Sequence, residues 1–281
     1  MQRGAMREDK VIDLGKFDGV LVVSDFDDTL YGRGPEVSRE NWAAIDRFTR
    51  EGGRFTVATG RARPTFAAYA QCVPINAPVI LSNGSALYDF SAGKMVYETY
   101  LPIRARDDLR QVAAAIPAVG FEAYHGDDIY AYNPNEVTRR HLERAHASAR
   151  EVPILEMPLP WSKVILQQER AVLEQVQRYI TDRWSGLYEA IFSSAVLLEL
   201  TRKGSNKGGM VRYLAALLDI RPEHVYCIGD NQNDIPMLEV SAIPFAPANC
   251  AKEVRAWGPR LVRSCEENGV AEMFEILDGL Y

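Results

Sequence analysis

Four short stretches concentrate the residues able to do chemistry. Ser24-Asp-Phe-Asp-Asp-Thr-Leu30 sets three acids at the end of an apolar run, with Asp25 and Asp27 alternating about Phe26. Carboxylates so close repel one another unless a cation neutralises them, and hard oxygen ligands select magnesium or calcium over softer metals. A second acidic turn, Ile228-Gly-Asp-Asn-Gln-Asn-Asp-Ile235, supplies Asp230 and Asp234. In Thr56-Val-Ala-Thr-Gly-Arg61, the Thr59 hydroxyl can donate to a phosphoryl oxygen, and Gly60 permits close backbone approach. In Lys203-Gly-Ser-Asn-Lys-Gly-Gly209, Lys207 sits where a helix begins. The helix dipole does not favour a cation there, so a nearby anion explains the placement. Taken singly, each stretch has a plainer reading as a solvated acidic turn, a strand-ending turn or a surface lysine beside a glycine-rich helix start.

The elements that carry these stretches argue for reading them together. Val20 to Ser24, Phe55 to Ala58 and Pro78 to Ser82 are β-branched runs without strict alternation, as suits strands covered on both faces. Between them, Ser38 to Arg50 and Arg63 to Gln71 carry apolar residues at helical spacing, with Ser38 as N-cap and Gly52-Gly53 as stop. The pattern resumes with a helix over Asn206 to Leu218, a strand at Val225 to Ile228, a short helix after Asp234, and strands at Ile243 to Phe245 and Leu261-Val262. The fold class is therefore α/β, a doubly wound parallel sheet whose ligands gather at the carboxyl ends of the strands. All four chemical stretches fall at that edge.

The middle of the chain mixes short strands near Lys94 to Glu98, Ile129 to Tyr132, Val164 to Gln167 and Val196 to Leu200 with helices around Asp107 to Ile116, Glu136 to Ala147 and Arg170 to Trp184. This reads as an α+β domain inserted over 85–200, which leaves 17–84 and 201–281 as the core. Pro153 to Pro160 reads as a loop inside the insertion, and 1–16 as a disordered N-terminal extension.

Composition excludes several classes. The formal net charge of −6 argues against a nucleic-acid or anionic-membrane surface. The apolar runs are far shorter than the roughly 20 residues that cross a bilayer. Met1 to Lys10 is charged and no signal-peptide core follows, so a cytoplasmic location is the expectation. Cys72, Cys227, Cys250 and Cys265 are widely spaced without CxxC pairing, and read as four reduced thiols. No oligomeric state can be read.

The four stretches resemble the signature of the haloacid dehalogenase superfamily: an Asp-x-Asp-x-Thr motif, a Thr or Ser after the second strand, a Lys, and a late acidic pair. Within it the chain is similar to the Cof-like phosphatases, because the insertion falls between the Thr59 and Lys207 motifs and is bordered by Leu81-Ser-Asn-Gly84 and Leu198-Glu-Leu-Thr201. The resemblance covers nearly the whole chain. It implies a Rossmann-like core with a cap, and hydrolysis of a small phosphorylated metabolite, a sugar phosphate, through an aspartyl-phosphate on Asp25. Asp27 would be general acid and then base. Thr59 and Lys207 would hold the phosphoryl oxygens, with Asn83 bordering the site, and Mg2+ would lie among Asp25, the Asp27 carbonyl and Asp230. Asp234 would support the metal shell or Lys207. Asp28 departs from the family, which often has Gly there, and is expected to face solvent or local backbone N–H groups. Tyr124, His125, Asp127, Asp128, Tyr130 and Lys163 offer polar and aromatic groups for a hydroxylated leaving group. Competing readings are a phosphomutase of the same family, a phosphoacceptor switch and a non-catalytic metabolite-binding protein.

Overall fold

The computed structural model describes residues 15–34 and 36–281. The expected disorder of 1–16 thus lies outside the described residues, save for Gly15 and Lys16. Lys16 pairs with Asp278 at 2.7 Å.

The chain begins β1 (Leu21–Ser24), α1 (Arg39–Arg50), β2 (Arg54–Val57), α2 (Arg63–Phe66) and β3 (Val79–Leu81). Ser38 caps α1 by accepting from the Asn41 N–H at 3.2 Å. α2 is shorter than its apolar spacing suggests. After Phe66 the chain continues as turns, yet Tyr69 and Val73 still reach the core cluster, because a spacing of three serves turns as well as helices. β3 meets the end of β2 through an Ala58–Ile80 bridge, then turns into the antiparallel hairpin β4 (Ala86–Asp89) and β5 (Lys94–Glu98). Leu87 of that hairpin is buried among core residues.

A further sheet domain, the cap, follows with α3 (Ala105–Ala115), β6 (Gly120–His125), β7 (Asp128–Tyr132), α4 (Glu136–Arg144), β8 (Arg150–Glu151), β9 (Lys163–Gln167), α5 (Arg170–Trp184), β10 (Tyr188–Ser194) and β11 (Leu197–Arg202). Its sheet runs β10-β11-β9-β6-β7-β8. Strand alternation gives the two faces different work. Phe121 and Ala123 join the apolar cluster under α3 and α5, while Glu122 and Tyr124 point the other way, toward α4 and the core.

The core resumes with α6 (Lys207–Leu217), β12 (Val225–Ile228), α7 (Ile235–Leu238), β13 (Pro244–Pro247), α8 (Lys252–Trp257), β14 (Arg260–Val262) and α9 (Gly269–Asp278). The sheet β14-β13-β12-β1-β2 is parallel throughout. Both faces are covered, as the continuous apolar strands require. Val20 and Val22 enter the cluster beneath α1 and α9, and Leu21 and Val23 enter the one beneath α6 and α7. All four cysteines are free. Among the described residues, no helix is long and apolar enough to cross a membrane.

Candidate active site

β1 lies between β12 and β2, so the residues leaving its carboxyl end enter the crevice where connections diverge to either side. Asp25 is the first of them, fixed by its N–H donating to the Ile228 carbonyl at 2.9 Å. Lys207 reaches it from below. α6 begins at Lys207 because Asn206 caps it, accepting from the Gly209 N–H at 2.8 Å. Gly208 lets that first turn press against α7, since a Cβ there would collide with the Pro236 carbonyl. The buried ammonium donates to Asp25 Oδ1 and Asp234 Oδ1, each at 2.5 Å. Burial disfavours its charge, but Asp234 and Asp25 outweigh burial and hold the lysine pKa above its ordinary value.

Asp234 is saturated, because its other oxygen accepts the Asp230 and Asn231 N–H groups at 2.9 Å each. It organises the late acidic turn and orients Lys207. Asp25, Asp230 and Asp234 form the one group of three acidic or metal-ligating side chains found among the described residues whose oxygens could share an ion, all within 4.8 Å. Among the described residues, the Asp230 carboxylate accepts only the Thr29 hydroxyl, at 3.1 Å. Burial and Asp234 push its carboxyl up to about 7, and burial with Asp234 also raises Asp25 well above the carboxylate range despite Lys207. These acids are short of positive charge, and every available donor is a hard oxygen. The set fits a magnesium-like cation.

Asp27 points elsewhere. Its carboxylate receives Arg61 in a two-pronged pair, Nε to Oδ2 at 2.9 Å and Nη2 to Oδ1 at 2.8 Å. The Arg61 guanidinium also lies over the Tyr69 ring at 4.6 Å. Burial opposes its charge, but Asp27 outweighs that and raises the arginine pKa. Arg61 closes the Thr59 motif, yet no spacing rule ties it to an acid 34 residues earlier. Thr59 and Asn83 stand one layer back, linked by the Asn83 N–H donating to the Thr59 carbonyl at 3.0 Å. The Thr59 hydroxyl accepts from the Arg61 N–H at 3.1 Å. Asn83 adopts a left-handed backbone (φ 53°) and takes Asn233 Nδ2 on its Oδ1 at 3.0 Å, while its own buried Nδ2 has no partner among the described residues.

A cavity of 380 Å³ joins these groups to the insertion. Asp25, Asp27, Asp230 and Asp234 line it from the core, and Tyr124 and Lys163 from the cap. Lys163, buried, donates to the Gly60 carbonyl at 2.6 Å and reaches Glu199 at 3.4 Å, which ties the cap to the backbone beside Thr59. The other cap residues singled out in the sequence lie away from the cavity. His125 meets the Pro160 carbonyl, Asp127 pairs with Arg63, Asp128 with Arg150, and Tyr130 packs into the cap's own cluster. Asp28 has φ 62°, a conformation glycine adopts more easily, and its half-exposed carboxylate faces Arg144 of the cap at 3.3 Å. It lines the cavity, its charge helps to raise the Asp230 carboxyl, and it meets a cap cation where solvent or local backbone N–H groups were expected.

The family model of haloacid dehalogenase-like hydrolases matches residues 22–274. Among curated proteins, 5-amino-6-(5-phospho-D-ribitylamino)uracil phosphatase YwtE of Bacillus subtilis (strain 168) is 25% identical, covering 92% of this chain and 99% of its own. Among solved structures, a haloacid dehalogenase-like hydrolase from Bacteroides thetaiotaomicron aligns with a TM-score of 0.78 at 24% identity, covering 92% of this chain and 99% of that one. The subclass IIB sugar phosphatase BT4131 aligns with a TM-score of 0.79 at 17% identity over 92% of this chain and 99% of its own, a likeness of fold.

Proposed function

The chain belongs to the haloacid dehalogenase-like hydrolase family as a Cof-type phosphatase, and from that premise we propose that it hydrolyses a small sugar or polyol phosphate through an aspartyl-phosphate on Asp25. The observation that carries this reading is Lys207, buried between Asp25 and Asp234 with Asp230 alongside. A lysine held there neutralises part of the acidic cluster and leaves one Asp25 oxygen for attack.

In the first displacement an Asp25 oxygen forms a bond to phosphorus as the bond to the leaving oxygen breaks, and Asp27 gives that oxygen its proton. In the second, water attacks phosphorus, Asp27 takes its proton, and the Asp25–phosphorus bond breaks to release inorganic phosphate. For this, Asp27 must exchange its bond with Arg61 for one with the leaving group. Lys207 and Thr59 support phosphoryl oxygens, and the unpaired Asn83 amide offers a further donor at the border. Mg2+ held by Asp25, the Asp27 carbonyl and Asp230 would supply charge compensation for the phosphoryl group. The cap excludes bulk water and selects the leaving group. The relatives' named substrates, a phosphorylated ribityl compound for one and sugar phosphates for the other, favour a polyhydroxylated leaving group.

The test is a panel of metabolite phosphates with magnesium, read as released phosphate. Sugar and polyol phosphates should be hydrolysed, and EDTA should stop the reaction. Turnover undiminished in metal-free buffer, or phosphoryl transfer to a second sugar hydroxyl instead of water, would contradict the proposal.

A further inference from the structure

The cavity is larger than a phosphoryl group needs, and one wall is a single face of α4, where Val137, Arg140, His141 and Arg144 recur at helical spacing. Behind that wall lies a network that phosphoryl transfer does not use. Glu122 is fully buried, and its carboxylate accepts the Tyr124 hydroxyl at 2.8 Å, Gln167 Nε2 at 2.7 Å and His141 Nδ1 at 3.0 Å. Gln167 in turn accepts the Thr138 hydroxyl at 2.7 Å, which anchors the first turn of α4. Burying a carboxylate is costly unless its lone pairs are engaged, and an apolar residue would serve packing as well. What the carboxylate adds is the orientation of a ring. With Nδ1–H committed to Glu122, Nε2 is the His141 nitrogen without a partner among the described residues, on a side chain that lines the cavity.

The cations of this face are not consumed by the catalytic acids. Lys207 serves Asp25 and Asp234, and Arg61 serves Asp27. Among the described residues, Arg140 uses only Nε, on Glu136, and Arg144 only one nitrogen, in an exposed pair with Asp28. We infer that this face of α4 is a second anion-binding subsite, which takes a carboxylate or a second phosphate carried by the leaving group. The inference rests on the phosphatase reading above and names its substrate class. An anion there receives forked N–H groups from the arginines and lies against Nε2 of His141, which donates when the ring carries a proton on both nitrogens, while Glu122 acts as the positioning residue.

Two substrate pairs test it. 6-Phosphogluconate and sorbitol 6-phosphate are both open chains that differ in a carboxylate against a hydroxymethyl group. Fructose 1,6-bisphosphate and fructose 6-phosphate differ in a second phosphate. The kcat/KM ratio within at least one pair should favour the more anionic member by about tenfold or more, the scale of one charge-assisted hydrogen bond, and mostly through KM. The pair that discriminates identifies the anion. His141→Gln, a partly exposed change that should not unfold the cap, is expected to bring that ratio near one, and Glu122→Gln should do the same. Ratios near one for both pairs in the wild type, or a ratio that survives His141→Gln, overturn the inference. Hydrolysis of p-nitrophenyl phosphate with magnesium by the same preparation separates the two readings. Its absence defeats the phosphatase reading, and its presence with no anion preference defeats only the subsite.

Discussion

The protein buries carboxylates in two clusters of polar side chains, with three acids in the core cluster and Glu122 as the single acid of the cap cluster, and the clusters are built on opposite terms. In the core, Asp25, Asp230 and Asp234 share one lysine and a few donors, so burial and mutual repulsion raise Asp25 and Asp230. In the cap, burial also pushes Glu122 up, but donors from His141, Gln167 and Tyr124 outweigh it, and the carboxyl is held below its ordinary value. A satisfied cluster fixes side chains in one arrangement. An undersatisfied one is stabilised by whatever positive or protic group joins it, a property it shares with sites that hold metal and phosphate.

The contrast breaks most visibly by removing one acid from each cluster. Asp25→Asn should lower turnover of an aryl phosphate by about 10⁴-fold or more, roughly 5 kcal/mol of transition-state stabilisation, with little loss of stability. Glu122→Ala should do the reverse. It leaves three donors unpaired, so urea unfolding should show a loss of about 3 kcal/mol. If Glu122→Ala proved as stable as the wild type, the cap cluster would not be the satisfied one.

The two clusters should also respond to pH with opposite signs. Asp230, pushed up to about 7, binds its proton more tightly folded than unfolded. Metal-free protein should therefore lose stability as pH rises from about 4, the ordinary carboxylate value, toward 7. Magnesium should reverse this, with a melting shift that grows over the same window. Glu122, held low, contributes stability above about pH 4.3, and that stability is lost as pH falls through its lower folded value. Melts of Asp230→Asn should be flatter from pH 4 to 7, and melts of Glu122→Gln flatter below 4. Equal slopes for both variants would remove the distinction.

The smallest effect concerns the ties between the two regions. Lys163→Met, which unpairs the Gly60 carbonyl and Glu199, should raise KM severalfold, whereas Arg144→Ala should change stability by less than about 0.5 kcal/mol because its pair with Asp28 is exposed. Urea unfolding and steady-state kinetics on the two variants check this ranking.

The core half of this contrast was legible in the sequence because its chemistry sits at the ends of short apolar strands. Each acid or lysine follows a strand or opens a helix, and the parallel topology delivers them to one edge. The cap half was much less legible. β6 was missed, since Gly120 opens it and the buried Glu122 interrupts its apolar run; β4 and β10 were missed as well. Glu122 meets His141 from 19 residues away and Gln167 from 45, and Arg61 meets Asp27 from 34, so only the folded chain pairs them. Glu199 was visible inside a motif at the insertion's edge, but its partner Lys163 lies two strands apart in chain order and adjacent in the sheet.

The central claim is that the undersatisfied core cluster carries the phosphoryl group on Asp25 while Asp27 moves the proton. The Asp27→Asn variant should still attack, through Asp25, an aryl phosphate whose leaving group needs little protonation, but should lack the base that activates water. Rapid-quench mass spectrometry of that variant with magnesium should show phosphoenzyme accumulating, with the added phosphoryl group on the peptide containing Asp25 and mapped to that residue. A phosphoryl group on position 28 or elsewhere, or no covalent species while turnover continues, would contradict the account.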